Sequence, residues 1–298
     1  MAPIWFRLYG NGHRGDFPTF KAKKIISQIS GDSNEKKLIM VDSMPAMFIG
    51  HGNPMNVFHK NDYTEGWASI GKSIPRPKAI LCVSAHYYIP FCMVTSASNP
   101  PTIHDFNGFP KKLYQIEYPA PGSPELAHRV SRLIQSTMVR LDENWGFDHG
   151  TWSVLTHIFP DADIPVVQLS IDETRPAIFH YEMGRELMAL REEGVLIIGS
   201  GNIVHNLSLY NWKNRNIAPY QWTIRFEKHL REMILAGDDG ALIHYEKFGE
   251  DAMLSVPIPD HYLPFLYILG LRKQADQVTF PVRGVDGGSV SMLAVQVG

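Results

Sequence analysis

Apolar segments that show neither a helical nor an alternating pattern recur along the chain, with longer amphipathic segments between them. The four clearest are AMFIGH (46–51), PKAILCVSAH (77–86), IPVVQLSID (164–172) and VLIIGSGN (195–202). A strand that is apolar throughout is buried on both faces, which is typical of parallel sheets that carry helices on both sides. The sequence therefore predicts a single α/β domain with a central, mostly parallel sheet flanked by helices on both faces.

The segments between and after these strands carry helix signals. Ser123 is a suitable N-cap, Pro124 fits the first helical position, and Gly194 is suited to ending a helix. The predicted helices cover 123–136, 175–194, 219–237 and 260–273, and further short strands are predicted at 91–97, 277–284 and 288–298. Residues 98–122 show no periodicity, and a loop of that length is usually a lid or a binding loop.

Histidines end or closely follow three of the predicted strands: His51, His86 and His205. Because ligands bind at the carboxyl ends of the strands in open α/β sheets, we expect these three imidazoles to converge at one edge. His261 is a fourth candidate, since Asp260 would cap the helix that His261 begins, and a helix N-terminus favours the neutral ring. Any one of them alone is more often structural, but together they predict a metal site. Nitrogen ligands without thiolates suit iron, zinc, copper or nickel better than magnesium or calcium.

Glycines flank the first of these histidines, at positions 50 and 52. They predict a sharp backbone turn and room for a ligand to approach closely. A plain turn from strand to loop is the alternative interpretation.

Charge and motif content exclude several classes of function. The net charge of −2 gives no basic surplus for a nucleic-acid or acidic-lipid partner. No apolar run approaches the roughly 18 residues of a membrane span. The sequence has no P-loop, no H-E-x-x-H and no C-x-x-C motif. Its two cysteines, Cys82 and Cys92, lie in apolar runs and are predicted to be buried free thiols of a cytoplasmic protein.

Eight motifs occur in the order found in a known family. They are GHGNPMN (50–56), SAHYY (84–88), PPTIHDFNGFP (100–110), YPAPGSP (118–124), WGFDHGTW (145–152), PVVQLSID (165–172), SGNIVHNL (200–207) and DHYLPFLYILG (260–270). With these motifs the chain resembles the class III extradiol ring-cleaving dioxygenases of the LigB type, specifically the bacterial DOPA 4,5-dioxygenase-like branch. The resemblance implies a LigB-like fold and the opening of a catechol ring, such as that of DOPA, by O2.

The resemblance also implies roles for individual residues. The expected metal ligands are His51, His86 and His261, with His205 as the acid–base residue that lies close enough to ligate the metal as well. His149 is expected to contact the substrate and to take part in catalysis. In the long loop, His104, Asp105 and Phe106 are expected to bind or cover the substrate ring, with a locally hydrogen-bonded loop residue as the alternative for His104.

One divalent metal ion per chain is expected. Fe(II) is expected for ring cleavage, and Zn(II) is expected as an ion that a structure could contain in its place, although zinc has no redox chemistry. The expected partners are a small-molecule catechol and O2, without nucleic acid or membrane, in a monomer or small homo-oligomer.

The resemblance starts near Pro45, which divides the chain into two parts. Residues 1–40 show scattered aromatics and basic residues without a signal-peptide pattern, and we expect a dispensable or loosely attached leader. Residues 41–298 are expected to form the catalytic domain.

Two other functions fit the same histidines. A zinc-dependent hydrolase would use them to activate water, and a non-catalytic metal-binding relative of the LigB fold would bind the ion without turnover. We favour the dioxygenase, because a binding protein needs neither an acid–base histidine nor a substrate-contacting one.

Overall fold

An eight-stranded sheet lies at the centre of the protein, in a computed structural model that describes residues 43–298. The strands are β1 (Ala46–Gly50), β2 (Ala79–Ile89), β3 (Met93–Thr95), β4 (Arg140–Asp142), β5 (Val166–Asp172), β6 (Val195–Gly201), β7 (Val278–Thr279), β8 (Val285–Asp286), β9 (Val290–Ser291) and β10 (Ala294–Val297). The order in the sheet is β4-β3-β5-β2-β6-β1-β10-β7, and β8 and β9 form a separate hairpin. The prediction of a leader at 1–40 lies outside the described residues.

The four central strands, β5, β2, β6 and β1, are parallel to one another. Every residue of β1, β5 and β6 is buried, as expected for strands covered on both sides. The outer pairings of β3 with β5, β10 with β1, and β7 with β10 are antiparallel. The predicted mostly parallel α/β sheet is therefore confirmed, and the tail strands join it in antiparallel orientation.

Helices cover both faces of the sheet. They are α1 (Asp62–Ser73), α2 (Pro124–Leu133), α3 (His149–Ile158), α4 (Ala177–Glu186), α5 (Ala189–Glu192), α6 (Gln221–Ala236), α7 (Asp239–Ile243), α8 (Glu250–Ser255) and α9 (Leu263–Gly270), and short 3₁₀ helices occur at Pro54–Phe58, Lys111–Gln115, Tyr245–Phe248 and Pro259–His261. Alternate residues of β1 divide between two apolar cores: Phe48 packs with α4, α6 and α9, and Ile49 packs with α1 and α3. No helix within residues 43–298 combines the length and apolar character needed to cross a membrane.

Local signals account for the helix boundaries. The Ser123 hydroxyl accepts a hydrogen bond from the backbone N–H of Leu126, as predicted for the N-cap of α2. The segment predicted as one helix at 175–194 is divided into α4 and α5, because Leu187 and Met188 bond three residues back instead of four. Helices α1 and α3 were not predicted, although Asn61 and Asp148 cap them.

Candidate metal centre

Four histidines lie at the carboxyl edge of the parallel strands. His51 follows β1 directly, His205 lies four residues beyond the end of β6, and His261 ends the 3₁₀ helix that precedes α9. His86 differs from the prediction, because β2 does not end there but continues to Ile89. The pairing of β2 with β6 ends at Ser84, and the register with β5 shifts between Val83 and Tyr88, so β2 continues beyond β6 and pairs there with β5 alone.

The rings of His51, His86 and His261 form a nearly equilateral triangle. Their centroids are separated by 5.1 Å (His51 to His86), 5.2 Å (His51 to His261) and 5.1 Å (His86 to His261). The Nε2 atoms of His51 and His86 are 3.2 Å apart, and one ligand atom from each of the three residues lies within 4.8 Å of the others. Three imidazoles at these separations can share one metal ion.

Hydrogen bonds orient the His51 ring towards that point. The Ser200 hydroxyl donates its only hydrogen to the Gly150 carbonyl at 2.6 Å, so it accepts from Nδ1 of His51 at 3.0 Å. The proton is therefore on Nδ1, and Nε2 is left with a lone pair for a metal. A polar partner on the second ring nitrogen is usual for metal-ligating histidines.

The position of His261 depends on a glycine in β6. A Cβ built on Gly201 would lie 2.2 Å from the His261 carbonyl oxygen, so only glycine permits this close packing. The same carbonyl accepts from the backbone N–H of Asn202 at 2.9 Å. Asp260 does not cap α9 as predicted; its carboxylate accepts from the backbone N–H of His261 at 2.7 Å. Nδ1 of His261 lies 3.0 Å from the same carboxylate, without the alignment of a hydrogen bond.

Burial keeps most of these imidazoles neutral. It lowers the pKa of His51, His205 and His261, and neighbouring histidines lower the pKa of all three further, although Asp260 opposes the shift at His261. Burial also lowers the pKa of His149, to about 4. His86 is the exception, because Asp105 outweighs the effect of burial and raises its pKa. Neutral imidazole is the form that binds a metal, so the donor set fits a borderline divalent cation such as iron or zinc.

The loop residue Asp105 joins two of the histidines. Its carboxylate lies 3.1 Å from Nδ1 of His86 and 2.9 Å from Nδ1 of His149, the first residue of α3. These hydrogen bonds and charges lower the pKa of Asp105 against the opposing effect of burial. The rings of His86 and His149 lie 3.8 Å apart between centroids.

A cavity of about 480 Å³ opens above the histidines. His51, His86, His149, His205 and His261 all line it. The apolar part of its wall is formed by Pro54, Phe106, Phe109, Leu207, Tyr210, Trp212, Pro257, Ile258 and Val290. The wall therefore combines a polar base with aromatic and aliphatic sides, as is usual for sites that bind small molecules.

The structure places the remaining predicted residues differently. Phe106 lines the cavity, whereas Asp105 lies behind two histidines and His104 is not part of the wall. Nε2 of His104 donates to the Ile116 carbonyl at 3.1 Å, which is the local contact given above as its alternative. The His205 ring stacks on His261, with centroids 3.5 Å apart and planes at 10°.

The two glycines beside His51 serve different purposes. Gly52 has a φ of 59° and makes the predicted sharp turn. A Cβ at Gly50 would lie 2.8 Å from backbone atoms of Ser291 and Met292. The close approach predicted there is therefore one of protein backbone, not of a ligand.

Sequence patterns did not identify every residue of the site. Ser200 was missed, although its place at the end of β6 beside the predicted cluster was a usable signal. Tyr210 and Trp212 were missed as well, because the segment after β6 carries no periodicity that would assign it to a cavity wall.

A doubly covered parallel sheet with a histidine-lined cavity at its carboxyl edge defines an α/β enzyme with a candidate metal site. Residues 44–281 match the family model described as the catalytic LigB subunit of aromatic ring-opening dioxygenase. The chain belongs to the LigB family. The predictions of a LigB-like fold and of an extradiol ring-cleavage dioxygenase are thereby confirmed.

Relatives with named activities cover most of the chain. It is 48% identical over 268 residues to the 4,5-DOPA dioxygenase extradiol of Escherichia coli K12, covering 88% of this chain and 98% of that protein. Identity to the protein of the same name from Beta vulgaris is 36% over 251 residues, covering 82% and 92%. A crystal structure of an uncharacterized Escherichia coli K12 protein superposes with a TM-score of 0.76 at 44% identity, covering 86% of this chain and 100% of that one.

Proposed function

We propose that this protein is a metal-dependent extradiol dioxygenase that opens the ring of a catechol such as DOPA between positions 4 and 5, using O2. The observation that carries the proposal is the convergence of three imidazoles at the base of a cavity, in a chain that covers 98% of a bacterial 4,5-DOPA dioxygenase. We further propose that the protein is cytoplasmic, because both cysteines are free thiols. We propose in addition that it is a monomer or a small homo-oligomer.

One divalent ion would be held by His51, His86 and His261. When bound, the ion supplies Lewis acidity towards the catechol oxygens and, as Fe(II), the electron-transfer capacity that Zn(II) lacks. The protein prepares this site with imidazoles whose second nitrogens face Ser200, Asp105 and Asp260.

His205 and His149 would handle the protons of the reaction. Both rings line the cavity, and both have a lowered pKa, so each is neutral and able to accept a catechol proton at neutral pH. His205 lies against His261, which leaves it two roles: acid–base residue or additional ligand. We assign it the acid–base role first, and we assign His149 to substrate contact.

The apolar wall would hold the ring and exclude water. Phe106 lies 5.4 Å from His149 and 5.1 Å from Phe109, measured between ring centroids, so the two phenylalanines form one aromatic surface beside the histidines. Excluding water strengthens every polar interaction inside the cavity.

Anaerobic loading tests the proposal. Metal-free protein is loaded with Fe(II) without oxygen, mixed with DOPA or another catechol, and then exposed to O2. We expect oxygen uptake in step with a ring-opened, visibly absorbing product, and no reaction with Zn(II) alone. Failure of every catechol to consume oxygen would refute the function, and ester or amide turnover without oxygen would support a hydrolase instead.

A further inference from the structure

Three nitrogen atoms from two structural elements converge on one carboxylate. Asp105 Oδ2 lies 3.1 Å from Nδ1 of His86 in β2 and 2.9 Å from Nδ1 of His149 in α3. Asp105 Oδ1 accepts from the backbone N–H of His149 at 2.9 Å. The long loop 98–122 thus provides a single group that binds both histidines.

We propose that Asp105 is a shared positioning residue, which fixes the ligand His86 and the substrate-facing His149 in one tautomer and one orientation. The proposal rests on the roles given to these two histidines in the proposed function. It replaces the expectation, drawn from the resemblance, that Asp105 itself binds the substrate.

Hydrogen-bond chemistry determines the tautomers. An ionised carboxylate can only accept, so each neutral ring beside it carries its hydrogen on Nδ1 and keeps a lone pair on Nε2. For His86, that lone pair points to the shared site, where its Nε2 lies 3.2 Å from Nε2 of His51. For His149, it leaves an acceptor on a ring that lines the cavity.

The location of Asp105 supports action through the histidines. Its backbone lies at the surface, yet its side chain is only 16% exposed and reaches inward. The carboxylate does not line the cavity, whereas both of its histidine partners do. Because those rings lie 3.8 Å apart, fixing either one also limits the movement of the other.

A simpler role is anchoring of the loop, and Thr102 offers a matched control. Its hydroxyl accepts from the backbone N–H of Tyr118 at 2.9 Å within the same loop, and it contacts none of the site histidines. Thr102→Val removes this hydrogen bond within the loop and does not change the contacts of the imidazoles.

The test is Asp105→Asn, with tautomers read by two-bond ¹H–¹⁵N NMR on metal-free protein labelled in histidine. An amide has one acceptor oxygen, and its NH₂ group only donates. Placed at Oδ1, the NH₂ group would face the backbone N–H and Nδ1 of His149; placed at Oδ2, it would face Nδ1 of both rings. We expect at least one of the two rings to change to the Nε2–H form. Asp105→Glu should keep both rings in the wild-type form, and Thr102→Val should change neither.

Zinc affinity, measured by calorimetry, provides a second readout. We expect Asp105→Asn to weaken Zn(II) binding by roughly 10- to 100-fold, and to lower kcat at saturating Fe(II) as well. Unchanged tautomers and Zn(II) affinity, with a loss of Tm matched by Thr102→Val, would overturn the proposal in favour of loop anchoring. If wild-type protein turned over no catechol, the proposed function would fail, while the NMR and zinc results would still decide the role of Asp105.

Discussion

Each of the three convergent imidazoles faces a polar residue on its second nitrogen, and each of these residues comes from a different element. Ser200 lies in β6, Asp105 in the long loop and Asp260 in the 3₁₀ helix before α9. The orientation of the rings is therefore set by the fold as a whole. Substitution of a ring and of a ring's neighbour should have different consequences.

Removing a proposed metal ligand and removing the proposed acid–base residue should have different effects on metal content and activity. We expect His51→Ala to lose metal and activity together. His205→Ala should retain most of the metal and lose roughly 100- to 10,000-fold in turnover, the usual contribution of general acid–base catalysis. Elemental analysis and oxygen-uptake assays on the same preparations measure both properties.

The exposed His59→Ala is the control and should retain metal and activity. If His205→Ala lost metal as completely as His51→Ala, His205 would belong to the ligand set.

A buried histidine outside the site should make the stability of the protein depend on pH. Burial lowers the pKa of His180 to about 4, from about 6.5 in the unfolded chain. Between these values the unfolded chain takes up a proton that the folded protein excludes, so stability is full above pH 6.5 and falls as the pH falls towards 4. From this residue alone, we expect the free energy of unfolding to fall by about 2 kcal/mol between pH 7 and pH 5.

Urea unfolding of metal-free protein at several pH values measures this contribution. His180→Gln cannot titrate, so its stability should depend less steeply on pH than that of the wild type. The exposed His128→Gln should keep the wild-type slope. Equal slopes in all three proteins would contradict the assignment.

At the scale of elements, the packing of β6 against the His261 segment depends on small residues. A methyl group on Gly201 would meet the His261 carbonyl at 2.2 Å, and one on Gly199 would meet the Pro264 carbonyl at 2.4 Å. The strand can present Ser200 to the site because its neighbours on the opposite face have no side chains.

Gly201→Ala should therefore displace His261, one of the proposed metal ligands. We expect a loss of stability of about 1–3 kcal/mol, typical of overpacking, and at least a roughly tenfold loss of metal affinity as the ligand is displaced. Thermal unfolding and zinc calorimetry measure the two effects. Gly240→Ala is the matched control, since the nearest atom to its added methyl is 3.6 Å away, and wild-type zinc affinity is expected.

Much of the sheet could be predicted from the sequence, because strands that are buried on both faces consist of continuous apolar residues. The strands at 46–50, 166–172 and 195–201 were recognised as continuous apolar runs. The residues of a strand do not show which strand it pairs with, so the antiparallel pairing of β10 with β1 could not be predicted. Helix α3 was missed because nearly all of its residues are buried, which removes the amphipathic period.

The site was predictable to a similar extent. The convergence of histidines followed from the general position of ligands in α/β sheets. The contact of Asp105 with His86 and His149 could not be predicted, because it depends on the path of a loop without periodicity. The strand extension that places His86 inside β2 depends on a change of register, which is a property of the paired strands.

For the whole molecule, the proposed ion should link distant parts of the chain. The proposed ligands His51, His86 and His261 come together only in the folded protein, so the ion should bind the folded state preferentially. At a free concentration 100 times its Kd, such an ion raises the free energy of unfolding by about 2.7 kcal/mol. A domain of this size should then unfold roughly 5–10 °C higher.

Differential scanning calorimetry with and without Zn(II) measures this shift, and chelation should reverse it. His51→Ala should unfold at a temperature that does not depend on zinc. A shift of equal size in that variant would place the stabilising ion elsewhere.

The hydrogen bond between His51 and Ser200 joins residues that are 149 positions apart in the chain. Contacts of such separation are slow to form, because a long segment must close before any favourable interaction compensates for its lost entropy. The protein should accordingly acquire its ion late on the folding pathway, after the rate-limiting barrier. In stopped-flow experiments, Zn(II) should leave the refolding rate nearly unchanged and should lower the unfolding rate. The ion would then stabilise the folded protein kinetically, after the chain has assembled.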